Sequence, residues 1–175
     1  MSTEPDSGQT KKSKPGMSIS MEHALWQMLR RTDRVIYKAR QRELNRYGIS
    51  TEAAAVLFTV QRLGRRAIPA LIARQLFLER PSVSELLDRM EKDGLLQRVK
   101  DLERKNYVRI VLTAQGFEAY RKSARRRSTR RIMSVLSRDE QELMWAMLAR
   151  VRTTALTELG IKTADIYPPS DPKDR

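Results

Sequence analysis

Between Arg80 and Arg89 the chain sets out Arg80, Pro81, Ser82, Ser84, Glu85 and Arg89 around the apolar Val83, Leu86 and Leu87. Serine hydroxyls donate and accept, and a carboxylate accepts from a cytosine amine. A guanidinium forks onto guanine or a phosphate, and a proline ring meets a thymine methyl. Presented on one helical face, such a set reads base edges in a DNA groove. Further on, Arg104, Lys105 and Asn106 make a second cluster, suited to the DNA backbone or the minor groove. Arg74 and Gln75, just upstream, are expected to touch phosphate. Simpler readings stand beside these. Ser82 has the chemistry of a helix cap as well as of a base contact, and any one of these positions could be plain solvated surface.

Other chemistries are poorly represented. Cysteine is absent and His23 is the single histidine, so thiol redox chemistry and a Cys- or His-rich metal site are excluded. Neither a recognisable carboxylate pair, a glycine-rich phosphate loop nor a nucleophile motif is present, so the expectation is a non-enzyme without cofactor or metal. The 35 Lys and Arg against 21 Asp and Glu give a formal net charge of +14, which points to a polyanionic partner. RNA modules use exposed aromatic platforms, and no such pattern occurs here. No apolar run approaches the roughly 18 residues of a membrane span, and the start of the chain lacks a secretory core, so a cytoplasmic, membrane-free protein is expected.

The reading residues need elements to hold them. Apolar positions recur at helical spacing from Met21 to about Arg46 (Leu25, Met28, Leu29, Val35, Ile36). A helix this long suits packing against a partner chain. A second helix is expected from about Thr51 to Leu63, capped by Ser50 or Thr51 and stopped by Gly64. Arg65–Ile68 could add a short strand. Pro69 opens a third helix, Phe77-Leu78-Glu79 makes a turn, and a fourth helix runs from Arg80 or Pro81 to Gly94. Two strands follow, at about 95–100 and 107–112, where Val108, Ile110 and Leu112 alternate with Arg109 and Val111. Thr113 caps a fifth helix extending to about Leu136. Ser137 and Glu140 form a capping box that opens a sixth, ending at Gly160, with Leu143, Met147, Leu148 and Val151 directed inward.

Two helices across a short turn, followed by a β-ribbon with a basic tip, make a winged helix-turn-helix. The fold class is therefore mainly α with a small β-ribbon (α+β), a winged helix-turn-helix plus a helical layer. The expected division is a disordered basic tail at 1–19, helical regions at 20–47 and 114–167, a DNA-binding lobe at 48–113 and a polar tail at 168–175. Two features stay open. Trp26, Tyr37, Phe58 and Tyr120 either line a ligand cleft or are plain core packing, the simpler reading. Between Arg121 and Arg131 the seven basic residues, without an acidic one, are a solvated face or an extension of the DNA footprint.

The segments PSVSELLDRMEKDGLLQRVKD (Pro81–Asp101) and VRIVLTAQG (Val108–Gly116) resemble the MarR (multiple antibiotic resistance regulator) family of transcription factors, and the resemblance spans about residues 21–160. The ribbon tip departs from the family pattern: Glu103 stands where Arg is common, Arg104 where Asp is common, and Asn106 replaces an Arg. The resemblance implies a homodimer, joined through a helical dimerisation layer at 20–47 and 114–167, that binds a pseudo-palindromic operator in double-stranded DNA, usually as a repressor. It also implies, as in many members, a small aromatic effector whose entry releases the DNA. An architectural DNA-binding protein with weak sequence preference, built on the same fold, is the alternative.

Overall fold

Capping chemistry sets where the helices begin. The Ser50 hydroxyl accepts from the Ala53 amide at 3.0 Å, while Gln41 Oε1 accepts from the amide (2.8 Å) and hydroxyl (2.7 Å) of Thr51. The end of the first helix is thus tied to the start of the second. The computed structural model describes residues 19–100, 108–163 and 166. In order these form α1 (Met21–Asn45), α2 (Thr51–Leu63), a 3-10 turn (Gly64–Arg66), α3 (Pro69–Leu76), α4 (Arg80–Lys92), β1 (Leu96–Lys100), β2 (Val108–Leu112), α5 (Ala114–Ser123), α6 (Arg127–Met133) and α7 (Arg138–Glu158). The expected tails at 1–19 and 168–175 lie, Ile19 apart, outside the described residues.

The chain divides into two compact units, Met1–Arg34 and Val35–Arg175. In the first, Arg30 lies 4.8 Å from the Trp26 ring centroid and the His23 ring 5.4 Å from it. Leu25, Met28 and Leu29 are exposed there. In the second, α2 supplies Val56, Leu57 and Val60 to a core completed by Leu44, Ile72, Val83, Leu87, Met90, Leu96 and Ile110. Each fully buried aliphatic side chain contributes roughly 1.5–3 kcal/mol.

β1 and β2 pair antiparallel, with Leu96 opposite Leu112 and Lys100 opposite Val108. Ile110 is the fully buried β2 residue, as the period of two requires. The short strand expected at Arg65–Ile68 is instead a 3-10 turn followed by extended chain. It contributes one ladder-like bond, Ile110 N–H to the Ala67 carbonyl at 2.7 Å. Thr113 accepts from Gly116 N–H at 3.0 Å and donates to the Gly94 carbonyl at 2.6 Å. Gly116 lies so close to the Leu95 carbonyl that a Cβ would stand 1.7 Å from its oxygen. The Leu-Thr-x-x-Gly segment is thus a docking joint between α5 and the end of α4.

Two further expectations are corrected. The fifth helix does not continue to Leu136: it breaks after Ser123, and Arg126 adopts the left-handed conformation (φ 46, ψ 40) before α6 starts. The cause is distant in sequence. Glu43 of α1 accepts from the amides of Arg127 and Ser128, each at 2.9 Å, and from the Ser128 hydroxyl. Arg40, one turn earlier, donates to the Ser123 carbonyl. One turn of α1 therefore holds the last carbonyl of α5 and the first amides of α6. Second, Leu143, Met147, Leu148 and Val151 do not face an interior. In the single chain they are exposed, and Leu156 is the buried residue of α7. Within the single chain these apolar side chains of the helix are thus left uncovered. The capping box is present, with Ser137 N–H on Glu140 Oε2 at 2.7 Å and Glu140 N–H on Ser137 Oγ at 3.3 Å.

Candidate nucleic-acid interface

α4 sorts its residues cleanly. Val83, Leu86, Leu87 and Met90 are buried, and Arg80, Pro81, Ser82, Ser84, Glu85, Asp88 and Arg89 are exposed. Glu79 is the N-cap residue and makes no side-chain cap bond, so Ser82 sits inside the first turn and is not the cap. On α3, Arg74 is exposed and Gln75 half-buried, and each already takes part in an interaction within the chain.

The recognition-type helix is braced against the ribbon. Arg98 of β1 reaches Asp88 Oδ1 at 2.6 Å and also pairs with Glu91, whose Oε1 accepts the Arg98 amide at 2.9 Å. Those bonds, the backbone amide first and the guanidinium second, hold the Glu91 carboxyl below its ordinary range. The Arg98 guanidinium is thus engaged in internal pairing. Lys100 is exposed and Arg109 half-buried. Arg104, Lys105 and Asn106 lie outside the described residues, so the ribbon tip is not part of this geometry.

A second link ties α1 to α2. The Tyr37 hydroxyl donates to Glu52 Oε1. That bond lowers the Glu52 carboxyl against the opposing effect of burial, with a further contribution from the positive charge of Arg89. The same bond raises the Tyr37 hydroxyl. Glu52 thereby places a negative charge in the field of the exposed Arg89.

Of the four aromatic residues considered for a cleft, the structure brings two together. Phe58 and Tyr120 line a cavity of about 230 Å³ with Arg40, Leu44, Thr51, Ala54, Ala55, Ser123, Ala124 and Arg126. The Arg126 guanidinium stands 4.9 Å from the Phe58 ring centroid. Tyr37 is engaged by Glu52 and is not among the lining residues. Trp26 belongs to the first compact unit.

Sequence reasoning passed over Arg40 and Glu43. Burial opposes ionisation of Glu43. The Ser128 hydroxyl, the Ser128 and Arg127 amides and Arg40 outweigh it, and its pKa falls to about 2. Arg40 Nη1 lies 3.0 Å from Glu43 Oε2, within ion-pair distance though not aligned as a hydrogen bond. The helical spacing of the pair was legible; its distant partners were not. The basic run between Arg121 and Arg131 is largely exposed, and Arg121 pairs with Glu118 at 3.0 Å.

Among the described residues, no helix is long and apolar enough to cross a membrane. A model of the MarR family matches residues 47–105. The chain is 28% identical over 127 residues to the HTH-type transcriptional regulator PecS of Dickeya dadantii, covering 70% of this chain and 76% of PecS. It is similar to the organohalide-sensing transcriptional regulator RdhR-CbdbA1625, solved with 2,4-dichlorophenol. The identity is 28% and the TM-score 0.77, over 93% of this chain and 98% of that one. The Staphylococcus aureus MepR–DNA complex shares the fold at 23% identity and a TM-score of 0.68, over 78% of this chain and 99% of that one.

Proposed function

We propose that the chain is a MarR-family transcriptional regulator, the family to which its matches point, and that it represses transcription as a homodimer on a pseudo-palindromic operator. The observation that carries this is α4, buried on one face and polar on the other, with Arg80, Ser82, Ser84, Glu85 and Arg89 presented together. Residues 48–113 form the DNA-binding lobe in this reading. Residues 20–47 and 114–167 join the two chains, since Leu25, Met28 and Leu29 of α1 and Leu143, Met147 and Val151 of α7 need covering. A two-fold dimer sets its two α4 helices about 34 Å apart, one turn of DNA. Ser84, Glu85 and Arg89 read bases, Pro81 meets a thymine methyl, and Arg74, Gln75, Arg80 and Ser82 fix the backbone register. Arg104, Lys105 and Asn106 of the ribbon tip add backbone or minor-groove contacts. No step of this reading is enzymatic, and its setting is the cytoplasm.

The cavity beside Phe58 and Tyr120 is the effector site in this reading. Its aromatic walls and the nearby Arg40 and Arg126 suit a small, electron-rich aromatic molecule. RdhR-CbdbA1625, whose bound ligand is a chlorinated phenol, supports that class. Such a ligand releases DNA only if it binds the non-binding lobe arrangement more tightly than the binding one.

Binding to duplexes selected from a random pool by the purified protein tests the reading. Arg89→Ala should lose roughly 1–3 kcal/mol on the selected duplex and lose discrimination at one position. Lys105→Ala should weaken binding to every duplex alike and lower the salt slope by about one. Selection that enriches no sequence would favour the architectural alternative.

A further inference from the structure

We propose that Phe77 is a further DNA contact, an apolar one placed at the edge of the groove just ahead of α4; the inference rests on the DNA-binding reading above. Among the described residues, four helices close with the same pair of backbone bonds, one amide reaching five residues back and its predecessor three. After α1 these are Ile49 N–H to Leu44 and Gly48 N–H to Asn45; after α4, Leu95 to Met90 and Gly94 to Glu91; after α7, Ile161 to Leu156 and Gly160 to Thr157. After α3 they are Leu78 to Ala73 at 3.0 Å and Phe77 to Arg74 at 3.4 Å. This closure needs a left-handed residue at its penultimate position, where glycine meets no Cβ penalty.

Three of the four closures use glycine there, at φ 67, 70 and 66. The fourth uses Phe77 at φ 55. A phenylalanine in that conformation is unfavourable, and packing does not compensate, because 52% of its surface is exposed. The neighbouring Leu78 is 41% exposed. Backbone strain with an unburied aromatic ring is a combination that folding alone does not select. Its place in the chain supplies the reason. Phe77 lies three residues before Arg80, where the base-reading helix starts, so a lobe that lowers the α4 N-terminus into the major groove brings the turn to its rim. The apolar surfaces available there are thymine methyls and deoxyribose faces.

The experiment compares the wild-type chain with Phe77→Gly and Phe77→Asn, both of which accept the left-handed conformation. Thermal melting and binding to the wild-type-selected duplex and to a random duplex are measured together. The inference expects opposite signs: a higher melting temperature for Phe77→Gly, and weaker binding to the selected duplex. Removing half a phenylalanine's surface from a contact corresponds to roughly a fivefold or greater loss. Replacing thymines by uracil one at a time separates the two surfaces: a methyl contact shows as a loss in the wild type that Phe77→Gly does not share, and a sugar contact leaves the uracil duplexes unaffected. Variants that bind as tightly as the wild type would overturn the inference. A wild type that prefers no duplex would instead overturn the DNA-reading function beneath it.

Discussion

Replacing Glu43 by Gln keeps the size and removes the charge, and it tests whether the α5–α6 break is held from α1. The carboxylate accepts two backbone amides at 2.9 Å and the Ser128 hydroxyl, and it faces the positive N-terminal pole of α6. A glutamine offers one carbonyl oxygen and turns its amide donors toward amides that also donate. The depression of Glu43 from 4.5 to about 2 corresponds to roughly 3 kcal/mol. Solvent screening at this site, 9% exposed, reduces the expected loss to about 2 kcal/mol at neutral pH. The pH dependence has a fixed sign. A carboxyl lowered in the folded state stabilises fully above its unfolded value, and the contribution disappears as pH falls from about 4.5 toward 2. Urea denaturation of both proteins at matched concentration, from pH 7 downward, should show a deficit that is constant at first and closes below about pH 4.5. A variant within about 0.5 kcal/mol of wild type at pH 7 would refute the clamp, as would a deficit unchanged at the acid end.

Two further perturbations probe the lobe itself. Gly116→Ala should cost about 3 kcal/mol or more, or prevent folding, because its Cβ would stand 1.7 Å from the rigid Leu95 carbonyl oxygen; a normal circular-dichroism melt would contradict the close approach. Arg98→Met keeps the aliphatic stem and removes the fork between Asp88 and Glu91. It should cost about 0.5–1 kcal/mol, less at high salt, and a loss independent of salt would count against the ion pairs.

The sequence made the helix starts and the ribbon legible because their determinants are local. Ser50, Pro69, Thr113 and Ser137 each act within a turn of their own position, and period-two alternation marks Ile110 as the buried strand residue. The polar face of α4 followed from helical spacing alone. The break after Ser123 was not legible, because the groups that hold it, Arg40 and Glu43, are about 80 positions away: 83 for Arg40–Ser123 and 85 for Glu43–Ser128. A basic run of uninterrupted helical propensity offers no local stop signal. The inward assignment of Leu143, Met147 and Val151 failed for another reason. Amphipathic periodicity marks a face that must be buried, but it does not say whether the covering surface is in the same chain. The paired aromatics were half legible: Phe58 and Tyr120 meet at one cavity, whereas Tyr37 is claimed by Glu52.

These placements separate what is braced from what is adjustable in the second compact unit. Two junctions of α4 are cross-tied, Arg98 joining it to the ribbon and Thr113 and Gly116 locking α5 onto its end, and beside them the Ala67 carbonyl joins the 3-10 segment to β2. A surface that must fit base edges to within a fraction of an ångström needs such bracing. The α5–α6 break is held differently, by two side chains of one α1 turn acting on opposite helix ends. Arg40, Ser123 and Arg126 of that break also line the cavity assigned to the effector. In the proposed reading, a ligand in that cavity meets the same residues that hold the break, so occupancy of the cavity and closure of the break draw on shared side chains. Such a link needs no deformation of the DNA-reading helix itself.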